Sequence, residues 1–279
     1  MLLGRGIMIN WNNVAPDHRP AYDAWHCGEH MAGRLKIPGF LRGRRYIAAS
    51  YEPPRSGGDS TLPSPPGRRA GESEARGPKA GSDATLSVAI RDERAVASLP
   101  EQARRNFLTM YEVKDLAVLT GPDYLARANS PIPLTLRTTP LVRDSVRGLA
   151  SVRASHGAGT GGYALTLRFD PQPGGDDALE HYLAQQALPQ IAQRADIVGA
   201  HLIVADKAAS AMTPVERQGR PTTIPNWIVL IEGFTLDAVN NAGEAGLSDA
   251  SLVANGCAAS IERDTYALQF MLASRRDIT

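Results

Sequence analysis

Residues 106–119, NFLTMYEVKDLAVL, return in altered form as residues 226–239, NWIVLIEGFTLDAV, and this internal repeat constrains the fold more than any other feature of the chain. Asn106 meets Asn226, Phe107 meets Trp227, Glu112 meets Glu232 and Leu116 meets Leu236, an offset of 120. Upstream, YDAWHCGEHMAGRLKIPGFLRGRRYIAA follows the pattern of ALEHYLAQQALPQIAQRADIVGAHLIVAD, Trp25 meeting Tyr182 and Met31 meeting Leu188, at an offset of 157. The offsets differ by 157 less 120, or 37, about the length of the stretch 52–83. That stretch holds six Pro, six Gly and five Ser among 32 residues and one large aliphatic, Leu62. It cannot repay its ordering entropy by burial, so it is predicted to be a mobile, disordered insertion in the first copy, without chemistry of its own.

Each copy then gives the same series. GRGIMINW is an apolar strand, 18–36 a helix, GFLRGRRYIAA and NFLTMYEV strands, a second helix starts near Asp115 as its cap, and 141–154 is the last strand. The second copy runs GYALTLRF, a helix at 177–194, IVGAHLIVA, NWIVLIEGF, a helix over about 236–255, and CAASIERDTYALQFML. The predicted fold class is α+β: two fused ferredoxin-like β-α-β-β-α-β units, 1–156 and 157–279, whose antiparallel sheets close into an intramolecular barrel of the dimeric α+β type. Such a chain is a monomer as a pseudo-dimer, or pairs further as a homodimer.

Charge and cysteines narrow the partners. Thirty basic against 29 acidic residues leave no field to attract nucleic acid or anionic lipid, so a small-molecule ligand is expected, with no nucleic acid and no membrane. All but Lys36, Lys79, Lys114 and Lys207 of the basic residues are arginine, the coding bias of a GC-rich, bacterial genome. Two cysteines, Cys27 and Cys257, make no disulfide framework, and the opening MLLGRGIMINW has no long apolar run, which predicts a cytoplasmic protein.

The first copy's YDAWHCGEHMAGRLKIPGFLRGRRY, followed by YEVKDLAVLTGPDYLARAN, resembles EthD-like proteins of the dimeric α+β barrel superfamily. The matching residues are Glu29, His30, Arg34 and Leu35 on the helix, then Pro38, Gly39 and Phe40. The resemblance implies the barrel and a place in small-molecule catabolism or secondary metabolism; the aromatic-acidic stretch before the Glu-His pair departs from it as Trp25, His26, Cys27 and Gly28.

His26-Cys27-Gly28-Glu29-His30 also spells the H-x-x-E-H of inverted zinc peptidases, but a catalytic zinc needs a third protein ligand and none stands in a suitable context, so no metal and no cofactor is assigned. A wheel at 100° per residue puts Ala24, Gly28, Met31 and Leu35 in the buried stripe and Tyr22, His26, Glu29 and Gly33 opposite, in solvent. His30 falls at the stripe's edge, half covered. It is a candidate acid or base that Glu29 tunes, or else a boundary residue locking helix to sheet. On the next strand alternation places Arg42 and Arg44 on one face and Arg45 on the other, with Phe40 kept off Arg45's side; these arginines, with Trp25, are candidate substrate-binding residues or ordinary exposed sheet-edge charge. Tyr111 and Glu112 face opposite sides of the third strand. Glu112 recurs as Glu232 and reads as structural, whereas Tyr111 becomes Ile231 and is a candidate catalytic residue. His201 stands on a strand of the second copy, and His156 in a glycine-rich linker without the context of a phosphate loop. The expected activity is cofactor-free proton transfer on a small aromatic, lactone or polyketide-like compound. The alternative is a non-catalytic binding or accessory protein of a degradative pathway.

Overall fold

Ile7, Ile9 and Trp11 alternate with Met8, Asn10 and Asn12, and a strand sends the two sets to opposite faces. In the computed structural model, which describes residues 1–50 and 105–274, the first set fills the inside of a barrel and the second lies under a helix. The predicted insertion at 52–83 lies outside the described residues.

The strands are β1 (Gly6–Val14), β2 (Phe40–Ala48), β3 (Phe107–Val113), β4 (Val142–His156), β5 (Tyr163–Pro171), β6 (Ile197–Ala205), β7 (Thr222–Thr223), β8 (Trp227–Gly233) and β9 (Cys257–Ala273). Eight of them close into one antiparallel ring in the order β1-β3-β2-β9-β5-β8-β6-β4, with β4 returning to β1; β7 adds a short parallel pairing outside β4. The first four strands pair in the order β4-β1-β3-β2, and the corresponding four of the second half as β9-β5-β8-β6. The two sets meet at β2 with β9 and at β4 with β6.

This closure corrects one expectation. Arg42, Arg44 and Arg45 do not lie on a sheet edge, because β2 is paired on both sides, and all three are buried. A register shift between Phe40 and Arg42 also breaks the assumed alternation, so Phe40 faces the helix side, packed with Tyr111 and Tyr124. Inside the barrel Arg42 grips Glu112 through Nε and Nη2 at 2.9 and 2.8 Å. Arg44 contacts Glu112 at 2.8 Å and Glu232 on the other side, and His201 Nε2 stands 3.3 Å from Glu232. Glu112, read as structural, thus belongs to a charge network that joins the two halves. His156 ends β4 and is not in a linker.

Helix α1 is built from Arg19–Trp25, a π-helical turn His26–His30 and Met31–Arg34. The Met31 amide closes the turn by donating to the His26 carbonyl, five residues back. The extra residue in this turn moves the buried face on by one position. Tyr22, Trp25 and His26 therefore face inward with Met31 and Arg34, while Ala24 and Gly28, predicted to be buried, are exposed. The solvated placement of His26 and Tyr22 is corrected for the same reason. Helices α2 (Pro122–Asn129) and α3 (Pro133–Thr138) follow β3. Asp115 does cap, accepting from the Val118 amide, but what it caps is a short 3-10 turn, since Gly121-Pro122 starts the helix afresh.

In the second half α4 repeats the α1 design: Asp176–His181, a π turn Tyr182–Ala187 and Leu188–Ala192. Helix α5 (Lys207–Ala211) opens a strap that leaves β6, crosses onto the first half and pairs through β7 with Ser145 and Val146 of β4. The predicted 236–255 helix is two, α6 (Leu236–Gly246) and α7 (Asp249–Ala254), because Ser248 caps the second by accepting from the Ser251 amide.

Gly43 brings α1 close to the sheet. A Cβ there would meet Met31 Cγ at 2.9 Å and Tyr111 Cδ1 at 3.3 Å. Gly43→Val should lift the helix and cost about 1–3 kcal/mol, read as a lower urea midpoint with unchanged slope; an unchanged midpoint would show that α1 tolerates displacement.

Candidate functional site

Between α1 and the outer face of β1 and β3 the side chains do not fill the space. A cavity of about 70 Å³, open at its mouth, runs from the sheet to the strap. Its floor is Asn10 and Asn12 of β1 with Thr109 and Tyr111 of β3; its roof is Tyr22, Trp25, His26, His30 and Arg34 of α1. Arg147 of β4 closes one side, and Glu216, Arg217 and Arg220 of the strap stand at the mouth.

The rings form a fixed wall. The Trp25 indole donates to Thr135 Oγ1 at 3.0 Å, its ring centroid 4.4 Å from that of His30. Tyr22 stacks on His26 at 5.5 Å and donates to Asn12 Oδ1 at 3.3 Å. The two imidazoles lie 5.8 Å apart. Because the π turn aims His26 inward, both reach one cavity.

Several buried polar atoms of this wall have no hydrogen-bond partner among the described residues: His26 Nδ1, His30 Nδ1, Tyr111 Oη, Asn12 Nδ2, Arg34 Nη1 and Arg220 Nε. Buried polar groups in proteins are nearly always paired, so a cluster of unpaired ones marks a surface that receives a polar ligand or ordered solvent.

Burial sets the protonation states. It pushes His26 well below the ordinary histidine value, with the Arg45 charge adding to the effect, and does the same to His30, with Arg34 next in weight. Both are neutral imidazoles at pH 7, able to accept a proton. Burial pushes the Tyr111 phenol up, so it keeps its proton and can donate a hydrogen bond. At the mouth, burial and the charges of Arg147 and Arg220 press Arg217 down to about 9.

The site expectations divide on these contacts. His30, Tyr111 and Trp25 line the cavity together. Glu29 does not reach His30; it turns aside to accept from Arg127 Nη2 at 3.2 Å. Arg42 and Arg44 belong to the barrel interior. Arg45 points to the helix side but is taken up by Asp23, Cys27 Sγ at 3.2 Å and the faces of Tyr22 and Phe107. His201 faces the barrel interior, where Ser155 Oγ lies 2.9 Å from its Nδ1. Asn12, Arg147, Arg217 and Arg220 were not read from the sequence, and the strap pair had no periodicity to expose it.

No protein-family model matches the chain, and no curated protein matches it in sequence. Solved structures do match it in shape. A "Putative monooxygenase" from Fusobacterium nucleatum subsp. nucleatum is 8% identical with a TM-score of 0.53 over 98% of this chain and 96% of that one. An "anthrone oxidase-like protein" is 10% identical with a TM-score of 0.51 over 98% and 94%. The shared fold is an α+β barrel. At such identities the likeness concerns architecture alone, and in this barrel one chain closes the ring. Among the described residues no helix is long and apolar enough to cross a membrane.

Proposed function

We propose that this chain is an EthD-like small-molecule enzyme, two ferredoxin-like units over 1–156 and 157–279, that performs cofactor-free proton transfer on a small aromatic, lactone or polyketide-like compound in the cavity under α1. One observation carries the reading. At the 157 and 120 offsets, the second half places Phe169, Leu183, Ala187, Ile191 and Ile231 where the first has Asn12, His26, His30, Arg34 and Tyr111. All five are buried in one apolar cluster under α4. The architecture therefore needs only hydrocarbon at these places, and the polar set in the first half answers to something other than folding.

In the proposed step an acidic C–H or O–H proton of the ligand moves to the neutral His30 imidazole. The electron pair left on the ligand's oxygen, as an enolate or phenolate, is held by the Tyr111 hydroxyl and the Arg34 guanidinium. His26 keeps a second neutral base beside it. The names of the two structural neighbours are in keeping with this, since loss of a proton is the entry to both rearrangement and oxidation of such compounds.

The test is exchange of the acidic hydrogens of anthrone and of an unsaturated γ-lactone into D2O, followed by NMR. The expected result is catalysed exchange that falls about 100-fold in His30→Ala, a change that copies the second half and should keep the fold; Glu29→Gln should exchange as the parent does. Binding without catalysed exchange would favour the accessory-protein reading, and full exchange by folded His30→Ala would overturn the role of His30.

A further inference from the structure

We infer that the compound accepted by this cavity is an aromatic acid, its ring among Trp25, Tyr22, His26 and His30 and its anionic group on Arg217 and Arg220, which the second half lends to the first. The inference rests on the cavity being a small-molecule site, and adds which class of molecule enters it.

The charges around the cavity do not balance. Four guanidinium groups line the cavity, those of Arg34, Arg147, Arg217 and Arg220, against one carboxylate, Glu216. Arg34 already holds Glu216 in a buried ion pair, 3% and 9% exposed. Arg147 is occupied by the Tyr124 hydroxyl at 2.9 Å and by Met8 Sδ. Among the described residues neither Arg217 nor Arg220 is ion-paired. Arg217 contacts the neutral Thr222 hydroxyl, and the buried Nε of Arg220 has no partner.

Two such cations at a half-enclosed mouth repel one another and are costly to bury without an anion. A planar carboxylate meets both needs, since guanidinium offers it two parallel donors. The depressed pKa of Arg217 agrees with this crowding. The strap is not loosely laid. The Val215 amide donates to Asn129 Oδ1 at 3.1 Å, and Ser210 Oγ accepts from the Leu149 amide at 2.9 Å, so the arginines are held over the cavity. Farther in, the walls are ring faces, suited to an aromatic body.

The consequence for chemistry is direct. Arg34 and Arg220 are among the charges that disfavour a proton on His30. An anion bound at the mouth offsets that field, so the acid makes His30 a better proton acceptor as it arrives.

The experiment uses the full chain and a set of one- to three-ring aromatic carboxylates, benzoate, 1-naphthoate and anthracene-9-carboxylate, each beside its neutral primary amide. Binding is read by tryptophan fluorescence and by the shift in Tm. We expect at least one acid to bind 10-fold or more tightly than its amide, with the preference shrinking as salt is raised. In Arg217→Gln/Arg220→Gln the acid should lose 10-fold or more and match the amide, while the free variant melts no lower than the parent. An amide that binds as well as its acid, or a double variant that keeps the preference, would overturn the anion assignment; His26→Leu abolishing that binding would leave the cavity reading standing. No binding by any member would overturn both.

Discussion

Arg44→Met should lower the unfolding free energy by about 3–5 kcal/mol, the usual cost of removing one partner from a buried ion pair. Arg44 is fully buried and is the strand residue that touches both Glu112 and Glu232. Without it Glu112 keeps Arg42, but among the described residues Glu232 keeps only His201 at 3.3 Å and the Tyr46 hydroxyl at 3.4 Å. In the parent burial pushes the Glu232 carboxyl up, but the charge and hydrogen bond of Arg44 together with those of His201 outweigh it and hold the group down at about 2. In the variant that carboxylate is left desolvated without a permanent cation. Chemical denaturation at pH 7.5 measures the loss. Arg44→Met/Glu232→Gln should recover a good part of it, because the second change removes the stranded charge. A single variant within 1 kcal/mol of the parent would show that the network does not hold the halves together.

Acid should weaken the fold well before the carboxylates titrate. His26, His30 and His201 all have folded-state values below the ordinary 6.5, burial being the largest cause in each. The unfolded chain takes up protons near pH 6.5 while the folded chain stays neutral. The unfolded state then binds more protons, and stability, full above about pH 6.5, falls as pH drops toward the folded values. The loss grows as pH falls below 6.5, each of the three imidazoles adding its own share. Urea unfolding at pH 7 and pH 5 reads the difference, and His26→Leu should remove its own share. A flat profile over this range would mean that the imidazoles are charged in the fold. Glu232 does not enter this window, since its contribution is lost only between the ordinary carboxylate range and about 2.

The strand series was legible because two stretches of the sequence resemble each other at fixed offsets, and every long strand lies where that likeness puts it. What failed was phase. A wheel of 100° per residue presumes hydrogen bonds four residues back, and the π turn at His26–His30 breaks that presumption with no proline to announce it and with Gly28 read as part of a regular buried stripe. His26 was not placed at the cavity for that reason, although Trp25 and His30, which line it too, were named as candidates. Burial of Arg42, Arg44 and Arg45 was hidden differently, since the strand that covers their side of β2 is β9, more than 200 residues later. A local pattern carries no trace of so distant a neighbour. Arg217 and Arg220 were hidden in the same way, reaching the cavity only because the strap crosses from one half to the other.

The ring closes within one chain, and that has a consequence for how the molecule can change. Were the barrel made of two identical chains, each codon would be read twice, and any residue that filled one cavity would fill its twin. Here Ala187 and Ile231 occupy one side while His30 and Tyr111 keep the other. The halves are free to differ, one keeping a polar-lined cavity and the other a hydrocarbon core, with Arg217 and Arg220 reaching that cavity across the divide. Such a barrel takes one ligand where a symmetric pair takes two, and a saturating titration should find a stoichiometry of one per chain.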